Sequence, residues 1–412
     1  MQVSRRKFIQ LSALAGAGAL LSPALAACGT SDDESTSSTA SANTSVATSS
    51  KTNGNLEKTT LRVGYLPITD ASPLLLAHAT GAYEKNGLQV EKPTLMRSWN
   101  TVAEAFQSKQ VDIVHLLMPM AIWLRFSKNF PLKLVAWDHM DGSALTVKDH
   151  INSVAELAGT TVAIPYWYSI HNVVLQMLLR KEGLQAITLG EPSVSGKTVK
   201  LVVLPPPDMP VALSNDSISG YIVADPFNAV AEVNNIGKVL RFTGDVWYKH
   251  ACCVAVMHEE DVVNNPNFTQ AAVTSIAEAQ LFAANNKVEA ARLLSKDGGN
   301  YLPQPLKAIE YAMTHYDHSE YVPTGAITHP EWDNQRIGFQ PFPFPSYTQE
   351  LIKSLRETIV EGDNSFLDNL NPLTAHQDLV NDNFAKTAIE KLGGTEKFNI
   401  PEDYTRTEII SV

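Results

Sequence analysis

From Leu61 onwards, short apolar runs rich in β-branched residues alternate with stretches of helical periodicity. A first set of strand-like runs comprises LRVGYL, LQVEKPTL, VDIVHLL and LKLVAWD, and a second set, beginning near Thr160, comprises TTVAIP, VKLVVLP, SGYIVAD and KVLRFTG. Continuous apolar strands separated by helices predict parallel sheets covered by helices on both faces. The break between the sets predicts two α/β lobes rather than one long sheet.

Two further strand-like segments, ALTVK (144–148) and CCVAVMH (252–258), stand at either end of the second set. Helical runs after Val262 are expected to pack back on the first lobe. Two crossings between lobes make a hinge, and the cleft between the lobes is the default ligand site. We therefore predict a two-strand hinge between lobe I (59–145 plus 252–345) and lobe II (146–251), with a C-terminal helical tail (346–412) packed on lobe I.

The first 58 residues have a different composition. Residues 4–8, SRRKF, form a twin-arginine pattern, which a short apolar run and the sequence LAAC follow. The run is too short and too rich in Ala and Gly to span a bilayer, so residues 1–28 are predicted to be a signal peptide with Cys28 as its lipid-attachment residue. An ordinary cleavage site with a chance cysteine is the alternative. Residues 29–58 are predicted to be a disordered Ser/Thr-rich tether. The mature protein would be lipid-anchored on the extracytoplasmic face of the cell membrane.

Charge and cysteine content argue against several classes of function. The formal net charge is −11 and the basic residues are scattered, which argues against a nucleic-acid partner. Cys28, Cys252 and Cys253 offer neither a disulfide framework nor a zinc-binding spacing. We expect Cys252 and Cys253 to be small buried side chains, and we expect no metal and no cofactor. A phosphate loop, a nucleophile elbow and an HExxH motif are all missing from the sequence, so an enzyme is not expected.

Four stretches resemble one family of proteins. They are GYLPITDASPLLLAHATGAYEKNGLQV, SWNTVAEAFQSKQVDIVHLLMPM, LPPPDMPVALSNDSISGYIVADPFNAV and PSYTQELI, in this order across residues 60–350 or so. They resemble the solute-binding proteins of ABC importers for nitrate, bicarbonate, sulfonates, taurine and thiamine precursors. The resemblance implies an α/β, bilobed periplasmic-binding-protein type II fold, a monomer without catalytic activity, a small-molecule solute, and ABC transporter permease subunits as partners.

Candidate ligand contacts follow from the positions of the strands, because ligands of open α/β sheets bind beyond the carboxyl ends of the strands. Thr69 and Asp70 follow the first strand, although Asp70 could instead cap the next helix. Trp99 begins a helix after the second strand, where the nitrate and bicarbonate relatives also use a tryptophan. It could instead pack between helix and sheet.

The segment IPYWYSIHN, residues 164–172, is the corresponding junction of lobe II. Ser169 could cap the helix, and His171 in its first turn could contact an oxoanion or a neutral ligand. The nitrate and bicarbonate relatives have glycines before this histidine, whereas this chain has aromatic rings. We predict that Tyr166 or Trp167 faces the ligand as a flat apolar wall.

The remaining candidates lie near the predicted hinge and the last strand of lobe II. Ser143 stands near a position where those relatives carry an amide side chain. Asp225 could cap a helix or bind a cationic group, and Asn228 follows it. Lys249 is the best single positive charge for an anionic ligand, although it could instead be an ordinary surface lysine.

The sequence thus predicts a binder of a small anionic or sulfonate-like solute. The aromatic junction favours an alternative, a heteroaromatic vitamin precursor of the thiamine-precursor or riboflavin type. A less favoured hypothesis is an enzyme similar to the pyrimidine-precursor synthases of yeast. Those enzymes share the fold and use a cysteine-rich, iron-dependent site.

Overall fold

The computed structural model describes residues 56–412. The predicted signal peptide, its lipobox Cys28 and nearly all of the predicted tether lie outside the described residues. Among residues 56–412, no helix combines the length and the apolar character needed to cross a membrane.

The strands of the described chain form two larger sheets and one small one. In chain order they are β1 (Val63–Tyr65), β2 (Thr94–Leu95), β3 (Ile113–Leu117), β4 (Leu132–Trp137), β5 (Met140–Asp141), β6 (Ser143–Val147), β7 (Thr161–Ile164), β8 (Gln185–Ile187), β9 (Thr198–Val203), β10 (Gly220–Ala224), β11 (Lys238–Phe242), β12 (Cys253–His258) and β13 (Ile337–Gly338). The first sheet has the order β2-β1-β3-β12-β4, the second has the order β11-β6-β10-β7-β9-β8, and β13 pairs with β5.

Each of the two larger sheets is mixed rather than purely parallel. Strand β12 runs antiparallel to β3 and β4, and β6 runs antiparallel to β10 and β11. The strands of the two predicted sets run parallel within each sheet, and only the two connecting strands, for which no direction was predicted, run the other way. Each is the first strand of its sheet after the chain passes from the other sheet. Each lies between two strands that run parallel to one another, and it runs in the opposite direction to both.

Helices cover both sheets. They are α1 (Ser72–Ala79), α2 (Ala82–Lys85), α3 (Trp99–Gln107), α4 (Met118–Phe126), α5 (Ile170–Lys181), α6 (Met209–Ser214), α7 (Phe227–Val233), α8 (Glu259–Asn264), α9 (Pro266–Asn285), α10 (Lys287–Leu294), α11 (Leu306–Thr314), α12 (His318–Thr324), α13 (Pro345–Arg356), α14 (Pro372–Leu379) and α15 (Asn383–Lys391). The strands bury their β-branched and leucine side chains between these layers, which is typical of buried sheets.

The region between α11 and β13 contacts the second sheet. The N–H of Phe242, at the end of β11, donates to the carbonyl of Ala326 (3.1 Å), and the hydroxyl of Tyr321 donates to Glu232 on α7 (2.7 Å). The prediction places this region in lobe I alone. In the C-terminal part, α15 packs against α9 and β4 of the first sheet, while Ile359 contacts α5 of the second.

Candidate functional site

Buried polar side chains gather where the chain passes between the two sheets. The first passage, from β4 to β6, carries Asp138 and His139, and the return passage, from β11 to β12, carries His250 and Cys252. All four side chains are fully buried. Burying polar groups is costly unless they find partners, so a concentration of them in the interior marks a place where function is expected to reside.

Asp70 reaches this region from a short 3-10 turn, Thr69–Ala71, directly after β1. Its Oδ2 lies 2.9 Å from Nε2 of His139. The backbone N–H of Cys253 also donates to this Nε2, at 3.2 Å. Among residues 56–412, Oδ1 of Asp70 and Nδ1 of His139 are buried without a hydrogen-bond partner. The carboxylate and the imidazole therefore each keep one polar atom unsatisfied within the described part of the chain.

Two thiols complete this arrangement. The Sγ atoms of Cys252 and Cys253 are 3.8 Å apart, and both cysteines are free and buried. One donor atom each from Asp70, His139, Cys252 and Cys253 lies within 4.8 Å of the other three, and we call these residues the four-donor cluster. Two sulfurs, an imidazole and a carboxylate form a donor set that zinc-like metal ions accept.

Ionisation in the four-donor cluster is strongly perturbed. Burial raises the pKa of Asp70 to about 7, against the lowering effect of His139. Burial disfavours a charged His139, but the Asp70 carboxylate and Cys252 together outweigh burial and raise the pKa of His139 to about 10. Burial would also raise the pKa of Cys252, yet contacts with Cys253 and the neighbouring imidazoles outweigh it and lower that pKa well below the usual value. Thiolate character is therefore favoured at Cys252.

His171 brings the second sheet to the same place. The Ser169 hydroxyl accepts from the N–H of Asn172 (3.1 Å) and so caps α5, as predicted for a serine at this position. Nε2 of His171, in the first turn, lies 2.9 Å from the Ser143 hydroxyl and 3.8 Å from Sγ of Cys252. Nδ1 of His171 is buried and has no hydrogen-bond partner in the part of the chain that the structure describes. His171 therefore contacts both Ser143 and Cys252, and Cys252 lies close to Asp70, so the structure brings these residues together.

Trp99 is buried at the start of α3, which Ser98 caps by accepting from the N–H of Thr101 (3.2 Å). Its ring lies 5.3 Å from the imidazole of His115, centroid to centroid, and its Nε1 has no partner. His115 accepts from the N–H of Leu66 (2.8 Å), and burial lowers its pKa to about 3, so its imidazole is neutral. Trp99 therefore both packs against the sheet and keeps a free donor.

Thr69, Asp225 and Asn228 are engaged by protein partners. The Thr69 hydroxyl donates to the carbonyl of Asp225 (3.0 Å), and Asp225 caps α7 by accepting from the N–H of Ala229 (3.1 Å). The Asp225 carboxylate also pairs with the guanidinium of Arg336, with Oδ2 2.7 Å from Nε. The Asn228 amide accepts from Thr146 and donates to Val223. The observed cation partner of Asp225 is thus a protein side chain.

Tyr166, Trp167 and Lys249 line other pockets. Trp167 donates from Nε1 to Glu361 (3.0 Å), and Tyr166 meets the ring of Trp123 edge-on, with centroids 6.3 Å apart. These rings line a groove between α4 and the segment that follows α13. Lys249 lies over the ring of Tyr248 (5.0 Å) and lines a separate pocket. The hydrogen bond of Trp167 is made to the C-terminal region, not to the four-donor cluster.

Residues 54–295 match the model of the NMT1-like family. The chain belongs to this family. A related protein is the nitrate/nitrite binding protein NrtA of Nostoc sp., which is 25% identical over 320 residues that cover 71% of this chain and 70% of the relative.

Solved structures of similar proteins show the same fold. The periplasmic nitrate-binding protein NrtA of Synechocystis PCC 6803 matches with a TM-score of 0.68 at 18% identity, covering 85% of this chain and 93% of that one. The ligand-binding component of an ABC-type import system from Staphylococcus aureus, solved with zinc bound, gives 0.62 at 21%, with 80% and 99% covered. The alkanesulfonate-binding protein SsuA of Xanthomonas axonopodis pv. citri, bound to MOPS, gives 0.54 at 14%, with 74% and 92% covered. The predicted periplasmic-binding-protein fold is confirmed.

Sequence reasoning missed part of the cluster. His139 was not singled out, and Cys252 and Cys253 were expected to be inert small side chains. They are buried as expected, but their sulfurs face a carboxylate and an imidazole from distant parts of the chain. The available signal was the occurrence of histidines in both predicted crossings, in DHMDG and in HACC.

Proposed function

We propose that this chain is the extracytoplasmic solute-binding component of an ABC importer. One observation carries the proposal: side chains attached to both sheets converge where the chain crosses between them, with Asp70 from the first sheet and His171 from the second both close to Cys252. A solute bound there contacts both lobes, so it stabilises the closed conformation. The similar proteins include a nitrate/nitrite binding protein and the ligand-binding component of an ABC-type import system, which supports this proposal.

The proposed solute is a small oxoanion or a sulfonate. NrtA binds nitrate or nitrite and SsuA binds alkanesulfonates, which supports this class of solute. The buried N–H of Trp99, which has no acceptor among residues 56–412, is a donor suited to an oxygen of such an anion. We further propose that the protein is a monomer without catalytic activity, anchored through Cys28 after a twin-arginine signal, and that permease subunits are its partners.

A heteroaromatic vitamin precursor is the second candidate. The groove lined by Trp123, Tyr166 and Trp167 favours it, because aromatic rings offer stacking surfaces to a planar ligand. The two candidates use different parts of the molecule. A substitution in the groove therefore separates them from one another.

Thermal-shift and calorimetric titrations of the purified full chain test the proposal. The panel contains nitrate, bicarbonate, taurine, alkanesulfonates, thiamine precursors and riboflavin. We expect an oxoanion or a sulfonate to raise Tm. We expect His171→Asn to weaken its binding by roughly tenfold or more, the loss of one hydrogen bond to a charged ligand. The control His318→Asn, on α12 outside the cluster, should bind normally.

Two results would contradict the anion proposal. If only aromatic solutes raise Tm and Trp167→Ala abolishes that rise, the second candidate replaces the first. If none of the panel binds to a folded protein, both candidate solutes are wrong.

A further inference from the structure

The four-donor cluster has the spacing of a metal site. Two thiolates about 2.3 Å from one tetrahedral zinc ion lie roughly 3.8 Å apart, and the Sγ atoms of Cys252 and Cys253 are 3.8 Å apart. Asp70 and His139 bring one oxygen and one nitrogen to the same point, within 4.8 Å of both sulfurs. The cluster therefore offers four donors of suitable type to a single ion.

Several polar atoms of the cluster lack a partner among residues 56–412. Nε2 of His139 lies 3.2 Å from the backbone nitrogen of Cys253 and 2.9 Å from Oδ2 of Asp70, so two protein groups converge on one nitrogen. Oδ1 of Asp70 is buried without a partner, and both carboxylate oxygens of the neighbouring Asp138 are as well.

A single metal ion would engage all four residues of the cluster at once. Sγ of Cys252 lies 3.8 Å from Sγ of Cys253 and 3.8 Å from Nε2 of His171, and His139 contacts both Asp70 and Cys252. An ion among the four donor atoms would contact one atom of each of the four residues. The spacing and the chemical types of the four donors are therefore the features that point to an ion.

We propose that Asp70, His139, Cys252 and Cys253 bind a divalent transition-metal ion of the zinc class. The mixed sulfur, nitrogen and oxygen donor set suits Zn²⁺ and Co²⁺ and disfavours Mg²⁺ and Ca²⁺, which take oxygen ligands. The donors come from the β1–α1 connection and from both passages between the sheets, so the ion joins these three segments. This site goes beyond the proposed function, because the ion needs no solute for its four protein ligands.

Metal content and cobalt spectroscopy of the full chain test the proposal. The protein, purified under reducing conditions and stripped with a chelator, is titrated with Zn²⁺ alone and with Co²⁺ alone. We expect about one ion per chain by elemental mass spectrometry. We also expect Co²⁺ to give the near-ultraviolet charge-transfer band of a cobalt–thiolate bond, and Zn²⁺ to displace it.

Three variants locate the ion. His139→Gln and Cys252→Ser should each lower the Zn²⁺ affinity by at least about 100-fold, because each removes a direct ligand. His376→Gln, which removes a buried imidazole from α14, should bind Zn²⁺ like the wild type. Circular dichroism of each metal-free variant checks that it is folded.

Several outcomes would overturn the proposal. One is a folded wild type that binds Zn²⁺ no better than His139→Gln. Another is bound Co²⁺ without a thiolate band. A third is a wild type that, when purified without reductant, has its two sulfurs joined in a disulfide, seen as a loss of free thiols after denaturation under non-reducing conditions. None of these readouts uses an organic or anionic solute, so the importer proposal stands or falls separately.

Discussion

At the scale of single residues, Arg336 holds together a buried charge network. Its guanidinium is fully buried and pairs with two carboxylates, with Nε 2.7 Å from Asp225 and Nη2 2.8 Å from Glu232. It also lies over the ring of Tyr311, 5.2 Å from the centroid. The arginine, from the connection between α12 and β13, thereby fixes both ends of α7 to the rest of the molecule.

We predict that Arg336→Met strongly destabilises the protein. The substitution leaves two buried carboxylates without their counter-charge, which costs about 3–5 kcal/mol in the free energy of unfolding. The matched control is Arg292→Met, because Arg292 pairs with Glu289 at the exposed surface, where a salt bridge contributes less than about 1 kcal/mol. Urea unfolding measures both. Equal losses in the two variants would contradict the buried network.

The residue-level predictions from the sequence were uneven for a physical reason. Asp70 and His171 could be singled out because one follows a strand and the other begins a helix, where side chains point toward a common edge. Ser143 was singled out through the resemblance, because the similar nitrate and bicarbonate proteins carry an amide side chain near its position. His139, Cys252 and Arg336 could not be singled out in this way. Their partners are brought close only by the tertiary arrangement of the two passages and of the irregular connection before β13, and neither arrangement leaves a periodic pattern in the sequence.

At the scale of elements, the apolar runs predicted the positions of strands and helices in the chain better than the directions of the strands within the sheets. VDIVHLL contains β3 and HNVVLQMLLRKEG contains most of α5. Strand direction could not be predicted in this way. A strand that is buried on both faces has the same apolar sequence pattern whether it pairs in parallel or antiparallel. The reversed direction of β6 and β12 therefore depended on chain topology, which the sequence pattern does not contain.

The contact between α13 and α14 depends on a neutral histidine. His376 on α14 is buried, and its Nδ1 lies 2.8 Å from the hydroxyl of Thr348 on α13. Burial lowers the pKa of His376 to about 4; Asp382 opposes this shift and Lys386 adds to it. In the unfolded chain the pKa of a histidine is about 6.5. Between about pH 4 and pH 6.5, His376 is therefore neutral in the native state and protonated in the unfolded chain.

We predict an acid-dependent loss of stability that His376 causes. Its contribution is fully present above about pH 6.5 and is lost as the pH falls towards about 4, by about 1.4 kcal/mol per pH unit and up to roughly 3 kcal/mol. Urea unfolding of wild type and His376→Gln across this range isolates the effect as the difference between the two curves. His150→Gln, at the exposed surface, controls for the loss of an imidazole. Parallel curves for wild type and His376→Gln would refute the prediction.

At the scale of the whole molecule, the segment after α13 ties the two lobes together. The backbone of Ile359 exchanges two hydrogen bonds with the side chain of Gln176 on α5, donating to Oε1 (2.9 Å) and accepting from Nε2 (2.8 Å). The amide of Asn172 donates to the same carbonyl (3.1 Å). Helix α13 itself packs on α4 of the first lobe. Any hinge motion that separates α5 from α4 must either break these hydrogen bonds or move the segment around Ile359 together with α5.

We predict that Gln176→Met loosens this connection selectively. Losing two hydrogen bonds to a backbone that stays partly buried should cost about 1–3 kcal/mol, and amide exchange should quicken around Ile359 while α15, which packs on α9, keeps its protection. Gln110→Met, at an exposed position, is the control. Hydrogen exchange followed by mass spectrometry measures both.

The same measurement connects this contact to binding. If a solute holds the lobes together, saturating solute should slow exchange at Ile359 in the wild type and should partly restore its protection in Gln176→Met, because the solute then supplies the interlobe contact that the side chain has lost. Exchange at Ile359 that is fast in the wild type and unchanged by a bound solute would show that the C-terminal connection does not take part in closure.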